Sequence, residues 1–167
     1  TPVIFDNRVF FSLGQDPEHG EGPSHLYSVD GTKKGDVTET GALWHNGEVN
    51  RSLSTVAIHD GILYHCDLSG FFRALDVNTG KVLWQHDLKA AVWSSPYCVD
   101  GKVYIGTEDG DVVVFQAGRE KKVLGTSTMD SSVYTTPVAA NGVLYVGSRE
   151  RLYAIQEGAQ CDPKKVN

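Results

Sequence analysis

The sequence predicts an all-β fold that is assembled from repeated small antiparallel sheets. Asx-Gly pairs recur at Asp60-Gly61, Asp100-Gly101 and Asn141-Gly142, at intervals of 40 and 41 residues. A short alternating apolar run follows each pair. This combination is typical of a β-hairpin, because a type I′ turn needs positive φ at both central residues. No segment shows a helical period, since the apolar runs are short and are often interrupted by glycine.

The first strand of each repeat follows a pair of hydroxyl residues. Ser94-Ser95-Pro96 returns 41 residues later as Thr135-Thr136-Pro137, and related phrases occur at Ser54-Thr55-Val56 and at Thr1-Pro2. These four copies introduce units of about 40 residues, which is the length of one propeller blade. The sequence therefore predicts a β-propeller of four-stranded antiparallel blades, with about four blades present.

The other strands of each blade are predicted from the apolar runs between glycine turns. The second strands contain Ile62-Leu63-Tyr64, Val103-Tyr104-Ile105 and Val143-Leu144-Tyr145-Val146. Gly70 and Gly110 then mark turns, and the third strands contain residues 71–75 and 112–115. The outer strands contain Ala42-Leu43-Trp44, Val82-Leu83-Trp84 and Val123-Leu124.

The repeats divide the chain into four blades and a tail. The blades cover residues 1–50, 51–90, 91–131 and 132–155, and the tail covers residues 156–167. The last unit has no outer strand, and Thr1-Pro2-Val3 already aligns with an innermost strand. Because propellers normally leave no long unpaired edge, we expect the C-terminal half of a larger propeller of about seven or eight blades. A self-contained ring of four blades is the alternative.

Composition excludes several classes of function. The net charge is −6, and basic and acidic residues are interspersed, whereas a nucleic-acid surface needs a basic stripe. No apolar run approaches the length of a membrane span. Cys66, Cys98 and Cys161 show no C-x-x-C spacing, so neither a zinc site nor a c-type haem is predicted. We expect Cys66 and Cys98 to be small buried residues within strands.

One segment resembles a known repeat at every consensus position. Ala74-x-Asp76-x-x-Thr79-Gly80-Lys81-x-x-Trp84 is similar to the pyrroloquinoline-quinone (PQQ) repeat. This repeat builds the blades of quinoprotein dehydrogenases, of the lipoprotein of the outer-membrane barrel-assembly machinery and of many bacterial extracytoplasmic proteins. Residues 86–96 and 106–112 look most like the last group. The resemblance covers residues 1–155 apart from one insertion, and it implies a periplasmic or otherwise extracytoplasmic location.

The resemblance also implies structural roles for particular residues. In the family, the Ala packs closely, hydrogen bonds fix the Thr-Gly turn, and the Trp docks on the neighbouring blade. The structural docking set implied for this chain is Trp44, Ala74, Asp76, Thr79, Gly80 and Trp84. The third unit departs from the pattern, because it has Gly125 where the Trp is expected.

Three side chains are expected on the propeller face near the central channel. Leu53, Trp93 and Tyr134 each precede an innermost strand, and Arg51 lies close to Leu53 in the sequence. In quinoproteins this region receives the cofactor, so the resemblance implies Arg51, Trp93 and Tyr134 as candidate ligands of PQQ held with Ca²⁺. An aromatic plane and a cation suit a flat, anionic quinone. Alternatively, Trp93 and Tyr134 plug the channel mouth or pack between blades.

An insertion over residues 14–25 interrupts the first blade and contains candidate metal ligands. Asp16, Glu18 and Glu21 offer hard oxygen ligands to a cation such as Ca²⁺, and His19 or His25 suits a softer metal. The spacing matches no EF-hand loop. A solvated surface loop, or a contact with a partner or with the remaining blades, is the alternative.

Two functions follow from these observations. The leading interpretation is a propeller segment that presents a rigid surface to a protein partner, with no catalytic residue of its own. The alternative is half of a PQQ- and Ca²⁺-dependent quinoprotein dehydrogenase for an alcohol or a sugar. In that case Trp93 is the stacking plane and Arg51 the carboxylate partner. The vicinal cysteine pair of several alcohol-oxidising quinoproteins is absent from this sequence.

Overall fold

The computed structural model describes residues 1–14 and 24–159, which form four antiparallel sheets. Blade 1 contains β1 (Val3–Phe5), β2 (Arg8–Leu13), β3 (His25–Asp30) and β4 (Ala42–Asn46). Blade 2 contains β5 (Ala57–His59), β6 (Ile62–Cys66), β7 (Phe71–Asp76) and β8 (Val82–Asp87). Blade 3 contains β9 (Tyr97–Val99), β10 (Lys102–Gly106), β11 (Asp111–Gln116) and β12 (Val123–Thr128). Blade 4 contains β13 (Val138–Ala140), β14 (Val143–Gly147) and β15 (Leu152–Ile155).

Each sheet is a meander whose strands lie side by side in sequence order. Every neighbouring pair is antiparallel, and the described part of the chain contains no helix. It therefore holds no helix that could cross a bilayer. The predicted all-β fold of small antiparallel blades is confirmed. Blade 4 has three strands within the described residues.

The turns between the first and second strands have the predicted backbone conformation. Asp60 and Gly61 have φ of 47° and 73°, and the pairs at residues 100–101 and 141–142 have the same positive values within a few degrees. In blade 1 the corresponding residues are Asp6 and Asn7, with φ of 50° and 57°. This turn lacks glycine, and Asn and Asp are the residues other than glycine that tolerate the left-handed region best.

The outer strand of each four-stranded blade carries an irregularity at the same place. The register shifts beside Ser28, Ala74 and Val114, which lie opposite Trp44, Trp84 and Gly125. Gly125 therefore occupies the position that holds a tryptophan in blades 1 and 2. All residues of β12 are exposed, as expected for an outer strand without this side chain.

The hydrophobic core lies between the blades. One cluster, including Phe10, Leu63 and Leu75, joins blades 1 and 2. A second, including Tyr64, Trp84 and Phe115, joins blades 2 and 3, and a smaller cluster around Val133 and Val146 joins blades 3 and 4. Each blade is thus stabilised mainly by burying one face against the next blade.

Two tryptophans connect consecutive blades. Trp84 is 8% exposed, stacks on Phe115 with 5.6 Å between ring centroids, and donates its indole N–H to the carbonyl of Gly118 at 3.0 Å. Trp44 likewise donates to the carbonyl of Val77 at 2.9 Å. The ring of Trp44 lies so close to Gly80, whose φ is +69°, that an added Cβ would stand 2.5 Å from its Cε3 atom. This turn therefore requires glycine.

The turn that receives Trp44 is held by a side chain from the same segment. Asp76 Oδ1 accepts hydrogen bonds from the backbone N–H groups of Asn78 and Thr79 and from the Thr79 hydroxyl. The carboxylate also forms an ion pair with Arg119 of blade 3 at 3.0 Å. The Arg119 hydrogen bond is the largest cause that holds the pKa of Asp76 below its ordinary value.

The repeated hydroxyl pairs link the inner strands around the axis. Ser95 Oγ accepts a hydrogen bond from the backbone N–H of Thr55 at 2.9 Å, across the boundary between blades 2 and 3. Thr136 Oγ1 accepts in the same way from the backbone N–H of Ser95 at 3.0 Å. The second hydroxyl of each pair thus ties its blade to the preceding one, which gives the 41-residue repeat of this motif a structural reason.

Both ends of the row of blades present apolar side chains to solvent. On blade 1, Ile4 is 78% and Leu13 is 51% exposed, on the face opposite to Phe10. On blade 4, Leu152 is 72% and Val138 is 50% exposed. Large exposed apolar surfaces usually mark sites of contact.

Candidate binding site on the channel face

The loops that lead into the inner strands hold three exposed apolar side chains in equivalent positions. Leu53, Trp93 and Tyr134 are 51%, 45% and 38% exposed. The residue before each aromatic ring, Val92 or Val133, is completely buried. The buried valine anchors the loop, and the following side chain is thereby turned towards solvent.

A second set of loops packs between these anchored segments. The backbone N–H of Glu108, in the loop between β10 and β11, donates to the carbonyl of Ala91 at 2.8 Å. On its other side, the carbonyl of Thr107 accepts from the N–H of Val133 at 2.9 Å. The loop that carries Glu108 is therefore fixed between the segments that carry Trp93 and Tyr134.

Trp93, Glu108 and Tyr134 form what we call the channel-face cluster, after the propeller face on which the sequence predicts Trp93 and Tyr134. The two rings meet edge to face, with centroids 5.8 Å apart and planes inclined by 64°. The Tyr134 hydroxyl donates to Glu108 Oε1 at 3.0 Å, and Trp93 Nε1 donates to Glu108 Oε2 over a longer distance of 3.4 Å. The carboxylate thus joins aromatic side chains from two successive loops.

The negative charge of this cluster is not neutralised by the residues that the structure describes. Both donors to Glu108 are neutral groups, and no ion pair joins its carboxylate to a described Lys, Arg or His. Asp109, the next residue, is exposed. The cluster combines aromatic surface with a negative charge that no described cation neutralises.

Arg51 lies in a different loop, between β4 and β5. Its carbonyl accepts a hydrogen bond from the N–H of Leu68 at 2.8 Å. A Cβ atom added to Gly14 would stand 2.8 Å from both Arg51 Cγ and Ser24 Oγ, so the stem of Arg51 packs where the insertion leaves and rejoins blade 1. The structure thus associates Arg51 with the insertion, and it associates Trp93 and Tyr134 with Glu108.

The candidate metal ligands Asp16, Glu18, His19 and Glu21 lie outside the described residues. Within residues 1–14 and 24–159, no group of three or more His, Cys, Asp or Glu side chains could hold a metal ion. Beside the insertion, His25 Nδ1 and His45 Nε2 are 2.8 Å apart, and the ring of His45 stacks on that of Tyr27.

A buried polar network lies on the face of blade 2 that packs against blade 1. Arg73 and Asp67 form an ion pair of 2.7 Å with both side chains almost inaccessible. Asn50 donates to the same Asp67 oxygen at 3.1 Å, and Arg73 Nε donates to Gln85 at 2.9 Å. Because a buried charge needs a partner, this network has a structural role.

His65 lies beside this network, opposite Arg73 in the adjacent strand. Its side chain is completely buried, and neither ring nitrogen has a hydrogen-bond partner within the described part of the chain. Burial, reinforced by the positive charge of Arg73, lowers the pKa of His65 to about 4. The imidazole is therefore neutral at physiological pH.

The two cysteines in strands are free and protonated. Burial raises the pKa of the Cys66 thiol well above its ordinary value and that of Cys98 to about 12. Because the thiolate is the reactive form, neither side chain is an activated nucleophile. Both occupy strand positions that pack against the cluster between blades 2 and 3.

Glu108 is not among the site residues that the sequence predicts. The available signal is the acidic phrase Thr107-Glu108-Asp109-Gly110-Asp111 between two apolar strands. The equivalent loop of blade 2 begins with Asp67-Leu68, and that of blade 4 with Ser148-Arg149, so neither of these two loops has a glutamate at this position.

The channel-face cluster does not fit a PQQ that is bound without a cation. A flat, anionic quinone requires an open aromatic plane and a neighbouring cation. The edge-to-face arrangement gives Trp93 and Tyr134 no common plane, and the carboxylate of Glu108 at the rim of both rings would repel an anionic quinone that is bound without a cation. These residues are better suited to a ligand of opposite charge.

Comparison of the sequence with known proteins identifies one matching family and several relatives. The family model described as outer membrane protein assembly factor BamB matches residues 2–160. The dehydrogenase subunit of alcohol dehydrogenase (quinone) from Acetobacter aceti is 32% identical over 118 residues, which are 64% of this chain and 16% of that protein. Outer membrane protein assembly factor BamB from Shewanella oneidensis is 29% identical over 93 residues, 54% of this chain and 22% of that protein.

A third relative is quinohemoprotein alcohol dehydrogenase ADH IIB from Pseudomonas putida. It is 31% identical over 107 residues, which are 56% of this chain and 16% of that protein. The chain therefore spans less than a quarter of the length of each of these three relatives.

Solved structures show the same fold. BamB from Moraxella catarrhalis superposes with a TM-score of 0.71 at 19% identity, over 90% of this chain and 43% of that one. Quinohemoprotein alcohol dehydrogenase from Comamonas testosteroni gives 0.63 at 17% identity, over 88% and 28%. The computationally designed Ika4 protein gives 0.64 at 16% identity, over 93% and 88%. The four blades thus correspond to part of the larger natural propellers.

Proposed function

Because this chain belongs to the family of outer membrane protein assembly factor BamB, we propose that its blades form a rigid, non-enzymatic surface that binds a protein partner outside the cytoplasm. The binding surface in this proposal is the channel face, where Leu53, Trp93 and Tyr134 project from consecutive loops. The family membership expected from the repeat at residues 74–84 is confirmed by the match over residues 2–160.

The observation that carries this proposal is the way in which these side chains are held. Each aromatic ring follows a fully buried valine, and the loop of Glu108 is hydrogen-bonded to the neighbouring segments on both sides. Aromatic residues dominate the energetics of protein interfaces. A surface that is already ordered loses little conformational entropy when a partner binds.

The proposal includes further blades beside those described. The apolar end faces of blades 1 and 4 suit contacts with additional blades of the kind that the described blades make with one another. We therefore propose that the four blades are the C-terminal half of a larger propeller, as the repeat pattern predicts, with the domain boundaries given above.

A quinoprotein dehydrogenase is the second candidate function. It is favoured by identities of 32% and 31% to two quinone-dependent alcohol dehydrogenases. The carboxylate of Glu108 between Trp93 and Tyr134 counts against a quinone that is bound there without a cation, since both groups carry a negative charge. We therefore rank protein binding above this alternative.

Photocrosslinking in cells that produce the protein tests the leading proposal. A photoreactive amino acid is placed at Leu53, Trp93 or Tyr134, and at Glu120 as the control. Glu120 is exposed in the turn between β11 and β12, at the end of blade 3 opposite to the channel face. We expect a discrete protein adduct from the channel-face positions and none from position 120. Adducts of equal yield from all four positions would contradict the proposal.

A second experiment tests the alternative directly. The purified protein is mixed with PQQ and Ca²⁺, and the quinone absorbance and dye reduction with alcohols or aldoses are measured. The scaffold proposal predicts an unchanged quinone spectrum and no dye reduction. A shifted quinone spectrum with substrate-dependent dye reduction would establish the dehydrogenase instead.

A further inference from the structure

The channel-face cluster has the chemistry of a receptor for a positively charged group. We infer that Trp93, Glu108 and Tyr134 bind a cationic side chain, an arginine above all, that the protein partner presents. This inference rests on the proposed function and specifies the chemistry of the partner at that surface.

Charge is the first argument. Glu108 is joined to two neutral donors and, within the described chain, to no cation. Asp109 belongs to the same loop, and Asp111, the first residue of β11, accepts a hydrogen bond from the Thr128 hydroxyl, which is also neutral. A group of negative charges beside aromatic surface attracts a cation and repels an anion.

The geometry of the carboxylate is the second argument. An ionised carboxylate has about four lone-pair sites, and each Glu108 oxygen accepts one hydrogen bond within the cluster. One site on each oxygen therefore remains for a ligand. A guanidinium group can donate to both oxygens at once, whereas an ammonium group acts as a single point charge.

The aromatic rings are the third argument. Trp93 and Tyr134 keep 45% and 38% of their surface exposed while both are hydrogen-bonded to Glu108. A planar cation that pairs with the carboxylate lies next to these rings, where cation–π attraction and stacking add to the ion pair. Because hydrogen bonds hold the rings before binding, little conformational entropy is lost at the site when the cation binds.

Nuclear magnetic resonance of the whole 167-residue chain tests the inference without knowledge of the partner. The indole N–H signal of Trp93, assigned with the Trp93→Phe variant, is followed during titration with N-acetyl-arginine amide. N-acetyl-citrulline amide, which is neutral and nearly the same shape, is the control ligand. We expect a saturable shift with the arginine compound and a much smaller one with the citrulline compound.

Two variants that remove the same charge distinguish a specific ion pair at Glu108 from the general negative potential of the loop. Glu108→Gln removes the proposed ion-pair partner and should weaken arginine binding about tenfold or more. Asp109→Asn removes the same charge from the adjacent exposed residue and leaves the hydrogen bonds of both rings to Glu108 in place. It should change binding less than about twofold. Backbone signals away from the loop report whether each variant is folded.

The inference is overturned if citrulline and arginine compounds shift the Trp93 signal equally, or if Asp109→Asn weakens binding as much as Glu108→Gln. It is also overturned if the Trp93 signal does not respond to the arginine compound. Its failure is distinguishable from failure of the proposed function, because crosslinking at Trp93 does not depend on the charge of the partner. If crosslinking gives protein adducts but the arginine compound does not bind, the partner binds this surface through uncharged groups.

Discussion

At the residue scale, Trp84 and Trp93 show that the same type of side chain has different roles in this protein. Trp84 is buried between blades 2 and 3 and hydrogen-bonded to Gly118, whereas Trp93 is 45% exposed and bonded to a glutamate. The first position lies in an outer strand at the bulge, and the second follows a buried valine in a loop. Trp84 therefore has a structural role because it lies at a boundary between blades, whereas Trp93 is available to a ligand because it lies in an exposed loop.

Replacement of Trp84 by alanine should lower stability sharply. The substitution removes the stack on Phe115 and leaves a cavity between two blades, a change that costs about 3–5 kcal/mol in buried sites. Trp93→Ala is the matched control and should change stability by less than about 1 kcal/mol. Thermal unfolding followed by circular dichroism measures both. Equal melting temperatures for Trp84→Ala and the unmodified protein would show that the docking role is wrongly assigned.

A glycine substitution tests the contact between blades 1 and 2. Gly80→Ala should be destabilising, because the residue has positive φ and its Cβ would overlap the Trp44 ring. Gly118→Ala, at a glycine with open space around the added Cβ, is the control and should cost far less. Urea denaturation compares the two, and similar midpoints would argue against close packing of Trp44 on this turn.

At the element scale, local signals predicted most of the fold. The Asx-Gly turns and the glycine at position 80 are read from sequence because their backbone conformations are set by the residues themselves. The hydroxyl pairs were recognised as a repeat, but their hydrogen bonds cross from one blade to the next, which no local pattern shows. Glu108 was missed for the same reason, since its partners lie 15 and 26 residues away in two loops.

His65, on the face of blade 2 that packs against blade 1, should make the stability of the protein depend on pH. Its pKa of about 4 in the folded state lies below the ordinary value of 6.5. Above pH 6.5 the imidazole is neutral in both states. As the pH falls towards 4, the unfolded chain binds the proton first, so the folded state becomes less stable.

The expected loss at pH 5 is on the order of 2 kcal/mol relative to pH 7. Urea denaturation at the two pH values measures it for the unmodified protein and for His65→Leu, in which this part of the pH dependence should disappear. His59→Leu, at a half-buried histidine on β5, is the control that should retain it. An unchanged pH dependence in His65→Leu would mean that His65 is not the group responsible.

At the scale of the whole molecule, the exposed apolar faces of blades 1 and 4 predict that the chain associates with itself. Ile4 and Leu152 project from the two ends of the row of blades and are 78% and 72% exposed. The isolated 167-residue chain should therefore self-associate, and replacing both residues with lysine should shift it towards monomer. Sedimentation velocity measures this. A monomeric, cooperatively unfolding chain without these substitutions would contradict the proposal of further blades.

The fold of the whole molecule does not distinguish between the two candidate functions. The same blade architecture occurs in BamB and in quinohemoprotein alcohol dehydrogenase, and both superpose on most of this chain. Function depends on the side chains that the blades bring to one face. In this chain those side chains include a glutamate that joins two aromatic residues, and the proposal of a protein partner rests on this local chemistry.

Hydrogen exchange on the complex with the captured partner tests the central claim most directly. The account predicts slower amide exchange on partner binding in the channel-face loops, residues 89–96, 107–111 and 130–136. It predicts unchanged exchange in the turns at the opposite end of the blades, residues 77–81 and 117–122. Protection confined to the opposite turns, with the channel-face loops unaffected, would contradict it.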